Sequence, residues 1–286
     1  MFKKILVPAL NASLDPKALK LAVDAARLFD GHVDCLFTHP DAIEISRYLT
    51  PMGPETAVYS GQLAETIIDA DKQCAARARQ LFDGFCARER HDRDEPVAAT
   101  FCEASGNACE QAIQQGFYHD LLVLGRPSRE DLTLTGAIDV IASCGRPVML
   151  APNGPLPATI STVVIAWKES AQAARAVAAA LPLLAKASKI DIIGVAESAD
   201  GADRVLRSAE KLAEYLRGHG LAPQAGHLAA TDRPVGDVLL EAATGKLHGS
   251  LLVMGGYQHS RAREFVFGGV TRRVLHSAPI PILLAH

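Results

Sequence analysis

The chain has 286 residues, 49% of them hydrophobic and 21% charged, with a formal net charge of −3. That length leaves room for two ordinary domains with proper cores, and the composition is globular rather than disordered. The slight acidic balance argues against nucleic acid or an anionic membrane surface as partner, and no apolar run approaches the roughly 18 residues of a membrane-spanning helix.

The opening MFKKILVPAL holds only a short apolar run, too short for a signal-peptide core, so the expected location is the cytoplasm. Its ILVPAL segment reads as a strand, followed by an Ala-rich helix and a second strand within residues 3–39. Residues 40–65 contain Pro40, Pro51, Gly53 and Pro54 and read as an insertion, with a helix expected from Ile67 to about Arg90. VAATFCE is a less distinct strand, and DLLVLG and PVMLAP complete the first series.

A linker with three prolines and a glycine, APNGPLPATIS, then precedes a second pass through the same order. Residues 161–197 repeat the strand, polar turn, Ala-rich helix and strand of residues 3–39. Residues 236–258 repeat 107–128, and APIPILLAH repeats GRPVMLAPN. A period this long marks a duplicated domain rather than a solenoid. The expected domains are 1–152 and 159–286, each with five strands and four helices.

VVIAW and SLLVMG are nearly continuous apolar runs, which suits parallel strands covered on both faces. Alternation with helices predicts an α/β fold of two tandem, open, mostly parallel five-stranded sheets with helices on both faces. In such sheets ligands sit beyond the carboxyl ends of the strands. Gly255 and Gly256 end SLLVM, and Gly268 and Gly269 precede the helix VTRRVLHSA. A loop lined by His259, Arg261 and Arg263 joins these two places. Backbone amides, helix dipole and basic side chains together could hold a phosphate; a plain tight turn and a helix entry account for the same glycines equally well.

Both repeats resemble the universal stress protein domain, and the whole chain resembles tandem members of that family. The resemblance rests on ILVP, the AAR stretch of each first helix, LLVMG and RRVLHSAPIPILL. The family's ATP-binding branch carries glycine, two residues, glycine, nine residues, glycine, then serine or threonine. Laid on this chain, that motif starts at Gly255 and its third glycine is Gly268. Gln258 stands at the second glycine and Gly269 at the serine. Lys168 occupies the family's aspartate position after the first strand of the second repeat, and Leu10 occupies it in the first.

The resemblance therefore implies a pocket in the second repeat formed by Ala166, Lys168, Val195, Met254, Gly255, Gln258, His259, Arg261, Gly268, Gly269 and Val270. Its ligand would be ATP or another adenine nucleotide, with or without Mg²⁺, and the departures leave open whether any nucleotide is retained. The first repeat has a shorter loop with Glu130 and Asp131 and reads as a half without a site. The family also pairs its last strands across a two-fold axis. The resemblance thus implies that PVMLAP and PILLAH pair within this chain, making a monomeric pseudo-dimer; a homodimer stays open. Expected partners are a small-molecule nucleotide and a protein of unknown identity.

Other candidates have simpler explanations. The cysteines, Cys35, Cys74, Cys86, Cys102, Cys109 and Cys144, include no C-x-x-C pair and read as reduced thiols. Asp237 and Glu241 are one helical turn apart and could hold a metal, but that spacing also describes a solvated face. His276 falls near a helix end, where a cation meets the dipole favourably. Trp167 could wall a base pocket or fill an interface between the halves. No serine elbow, H-E-x-x-H pair or Walker lysine is present, so no catalytic residue is assigned. The function expected is a nucleotide-linked stress-response regulator; the alternatives are an interaction scaffold without nucleotide and a slow ATP hydrolase.

Overall fold

A computed structural model describes residues 1–10, 13–49, 60–92, 95–126, 131–230, 232–256 and 269–286. The chain divides into two compact units, Phe2–Val140 and Ile141–His286.

In the first unit, β1 (Lys4–Pro8), β2 (His32–His39), β3 (Ala98–Ser105) and β4 (Leu121–Leu124) form parallel pairs in the order β3-β2-β1-β4. Ile5, Leu6, Val7 and Leu121 to Leu124 are fully buried, as continuous apolar strands covered on both faces must be. The covering helices are α1 (Pro16–Arg27), α2 (Ala42–Leu49), α3 (Ser60–Asp92), α4 (Ala108–Gly116) and α5 (Asp131–Ser143). Two of these differ from the sequence reading. The insertion contains α2, whose start is held by Asp41 accepting from the amides of Ile43 and Glu44 at 2.9 Å each. Helix α3 begins at Ser60, ahead of the expected Ile67. Helical spacing without an apolar stripe gives no sequence signal for such an extension.

The second unit opens with the last strand of the first repeat, β5 (Val148–Leu150). It continues through β6 (Thr162–Ala166), α6 (Ala171–Leu184), β7 (Lys189–Ala196), α7 (Ala202–Gly218), β8 (Pro223–Ala229), α8 (Val235–Glu241), β9 (Leu251–Gly255), α9 (Gly269–Ser277) and β10 (Ile282–Ala285). The order is β5-β10-β9-β6-β7-β8, parallel except that β5 runs antiparallel to β10. Leu150 faces Ile282, Met149 faces Leu283 and Val148 faces Leu284. The two terminal strands of the repeats therefore pair with each other, which removes a bare edge from both. The proline-rich linker is tied to the end of α9: the Asn153 amide donates to the Ala278 carbonyl at 3.1 Å, and its side chain donates to the His276 carbonyl.

The duplication is visible in paired details. Asp120 accepts from the amides of Lys3 and Lys4 at 2.7 and 3.0 Å, which anchors the start of β1. Ser250 does the same for β6, its Oγ accepting from Ser161 and Thr162 at 2.9 Å each. At the third position of β2, Asp34 meets His32; at the third position of β7, Asp191 meets Lys189 at 2.8 Å. Different side chains solve the same problem of anchoring strand starts and holding a carboxylate in the sheet.

Candidate functional site

A cavity of about 620 Å³ lies in the second unit beyond the carboxyl ends of β6, β7 and β9. That size is within the usual range for small-molecule sites, and the place is the one an open parallel sheet favours. Its apolar part includes Ile193, Val195, Val235, Leu239, Met254 and Val270. Its polar part includes Lys168, Glu169, Ser198, Arg204, Ser208 and Thr271. The lining thus offers contacts to both an apolar ring and polar groups.

Seven residues expected at the site, Ala166, Lys168, Val195, Met254, Gly255, Gly269 and Val270, all line this cavity. The other four, Gln258, His259, Arg261 and Gly268, lie outside the described residues, as does Arg263. The sequence reading passed over Arg204 and Ser208 because they lie inside α7, where nothing distinguishes them from a solvated helix face. Thr271 was missed because the motif ends before it; its spacing two residues beyond the Gly268–Gly269 pair was the available signal.

Gly255 has a structural reason. A methyl group there would lie 2.6 Å from the Ala173 amide nitrogen and 2.9 Å from the Gln172 carbonyl carbon. The first turn of α6 thus packs directly on the end of β9. Gly125 stands at the same place in the first repeat, where a methyl group would meet Asp15 Cβ at 2.7 Å. In each case the neighbour is an N-terminal turn held by its cap. Asp15 Oδ1 accepts from Lys17 and Ala18, and Ser170 Oγ accepts from Ala173. Such caps contribute on the order of 1 kcal/mol each. Among the described residues Gly256 and Gly269 are under no such pressure: at Gly256 a methyl group would make ordinary contacts from 3.5 Å, and at Gly269 it would meet nothing within 4 Å.

Trp167 extends the β6–β7 pairing by one step, its amide donating to the Ile193 carbonyl at 2.8 Å. Its indole Nε1–H donates to Ser208 Oγ at 3.0 Å, and Ser208 Oγ–H donates to Glu169 Oε2 at 3.4 Å. The ring is thereby fixed between β6 and α7 as a wall of the cavity. Thr271, in the first turn of α9, is 7% exposed. The residue lines the cavity, and no hydrogen bond of its hydroxyl occurs among the described residues. Thr271 thus brings a hydroxyl-bearing side chain to the lining at the start of α9.

The remaining candidates resolve simply. Asp237 accepts from Arg273 Nε, and Glu241 from Arg233 Nη2. Each carboxylate is held by its own guanidinium, and no group of three metal-ligating side chains occurs among the described residues. In the first repeat, Arg126 follows Gly125, and its amide donates to Asp15 Oδ2 at 3.3 Å. Burial pushes the Arg126 guanidinium down to about 10, against the opposing pull of Asp15. The strand end that would face a ligand there carries this half-buried arginine beside Asp15 instead. The six cysteines are free, and burial raises the thiols of Cys35, Cys86, Cys102, Cys109 and Cys144. These thiols are poor nucleophiles.

The architecture defines an α/β protein with open, mostly parallel strand order in each unit. Among solved structures the chain is similar to a universal stress protein from Archaeoglobus fulgidus, at 15% identity and a TM-score of 0.63, covering 99% of this chain and 95% of that one. It is similar to a protein of unknown function from Pseudomonas aeruginosa, at 15% identity and a TM-score of 0.59 over 99% and 92% of the two chains. The cytoplasmic domain of a prokaryotic cation chloride cotransporter shares the fold at 14% identity and a TM-score of 0.50, over 99% and 95% of the chains. No curated protein sequence matches the chain. Residues 159–286 match the sequence profile of the Universal stress protein family. That match covers the second repeat, and the solved structures share the fold of both repeats. No helix among the described residues is long and apolar enough to cross a membrane.

Proposed function

We propose that the second repeat binds an adenine nucleotide in this cavity and that the protein acts as a nucleotide-linked regulator in stress response. The observation that carries the reading is the cavity itself. Its apolar lining at the strand ends, Val195 and Met254, suits a purine ring, and Thr271 at the start of α9 offers a hydroxyl to a phosphate oxygen. Gly269 has lost the family's hydroxyl; Thr271 supplies one within the same turn. Where a triphosphate binds, Mg²⁺ would ride on its oxygens.

Calorimetric titration with ATP, ADP and AMP tests this, together with mass spectrometry of any ligand released on denaturation. Binding of one nucleotide per chain, weakened about tenfold or more by Thr271→Val, is the expected result. Absence of binding for all three would leave the interaction-scaffold reading in its place.

A further inference from the structure

The polar end of the cavity differs from what an unmodified ribose asks for. Lys168 stands at the end of β6, and sheet order places β6 between β9 and β7. It therefore lies between the Gly255 strand end, which leads toward α9, and the Val195 strand end. A nucleotide with its phosphate at α9 and its base against Val195 would pass its sugar beside Lys168. Arg204, from the first turn of α7, lines the same cavity. Neither cation has an ion-pair partner among the described residues. Two carboxylates share this rim: Glu169, which accepts from Ser208 Oγ, and Glu197, just past the end of β7.

An ammonium group can only donate, so Lys168 cannot accept a hydrogen bond from a ribose hydroxyl as a carboxylate would. A sugar phosphate reverses the requirement: it offers only acceptors and negative charge, which a lysine and the planar fork of an arginine satisfy together. Dinucleotide-binding sites make the same distinction, with a carboxylate for a free 2′-hydroxyl and a cation for a 2′-phosphate.

Resting on the nucleotide reading above, we propose that Lys168 and Arg204 make the site selective for nucleotides that carry a second phosphate on the ribose. The rim carboxylates sharpen the dependence on both cations, because removing either one leaves the rim with excess negative charge.

The test is calorimetric titration of the full chain with AMP, adenosine 3′,5′-bisphosphate and adenosine 2′,5′-bisphosphate. One bisphosphate is expected to bind at least about tenfold more tightly than AMP. In Lys168→Asp and in Arg204→Ala that ratio falls toward one, and raised salt lowers it in the parent protein. Both side chains are exposed, so these variants retain the fold, which circular dichroism checks. Binding of AMP with no preference for either bisphosphate overturns this proposal and leaves the nucleotide reading standing. A preference that survives both substitutions overturns the assignment to Lys168 and Arg204. Failure of all three ligands to bind overturns this proposal, and the titration with ATP and ADP then decides the nucleotide reading separately.

Discussion

Gly255 and Ala173 lie so close that the end of β9 and the first turn of α6 touch backbone to backbone, with a methyl group on Gly255 reaching within 2.6 Å of the Ala173 nitrogen. Neither side can move cheaply, because Ser170 caps α6 and β9 is held between β6 and β10. Gly255→Ala is therefore expected to destabilise the protein by about 1–3 kcal/mol, as other overpacked cores do. Gly256→Ala, which meets only ordinary contacts, should stay within about 0.5 kcal/mol of the parent. Urea denaturation midpoints of the two variants check the contrast; equal losses would refute it.

Open space at Gly269 leads to a second expectation. No described residue stands within 4 Å of an added methyl group there, so Gly269→Ser should fold as the parent does. If phosphate rests at the start of α9, the restored hydroxyl should tighten ATP several-fold, in keeping with the modest worth of one added hydrogen bond. Titration of parent and variant side by side reads this. Unchanged or weaker binding would mean the phosphate does not reach Gly269.

Trp167 is the sole tryptophan in the chain and it lines the cavity. Its intrinsic fluorescence should change on adding nucleotide and saturate at the same concentration as the calorimetric heat. Trp167→Phe keeps a ring but loses the donation to Ser208, which should loosen the wall and weaken binding about two- to tenfold. Calorimetric binding with silent fluorescence would place the ligand elsewhere.

The first repeat holds a test of pH dependence away from the cavity. Asp34 Oδ2 faces His119 Nε2 at 3.0 Å, and His119 Nδ1 faces the Gln115 carbonyl at 2.7 Å. His32 approaches the other carboxylate oxygen at 3.0 Å and Lys4 approaches Oδ2 at 3.5 Å. Burial alone would push the Asp34 carboxyl up. The hydrogen bond from His119 and the charges of His32, Lys4 and His119 together outweigh it, so it lies below its ordinary value of 3.8. The folded state thus binds this proton less readily than the unfolded chain. Its stabilisation is full above the unfolded value and disappears as pH falls below about 4, through the folded value. Asp34→Asn should cost about 1–3 kcal/mol at neutral pH and leave a shallower acid limb. Urea midpoints measured from neutral pH down to about pH 2 show this, and parallel curves for parent and variant would contradict it.

The duplicated architecture was legible in the chain because both copies obey the same local rules. Continuous apolar runs at Ile5–Val7, Leu121–Leu124, Val163–Ile165 and Leu251–Met254 can be stable only as strands covered on both faces. Seven cavity-lining positions could be named because the family resemblance carries its pocket onto the strand ends and the start of α9, and strand ends are where an open parallel sheet gathers ligand groups. Tertiary structure decided what those positions do. Gly255 is glycine because a helix start lies against it, a relation between residues distant in sequence that spacing alone does not contain. Arg204, Ser208 and Thr271 join the cavity through the packing of α7 and α9, and their local sequence resembles any amphipathic helix. The pairing of β5 with β10 was expected from the family resemblance, but its register depends on which side chains meet across the sheet. Local sequence determines elements through backbone propensity and apolar period. A site depends on which element ends converge, and that is set by packing across the whole fold.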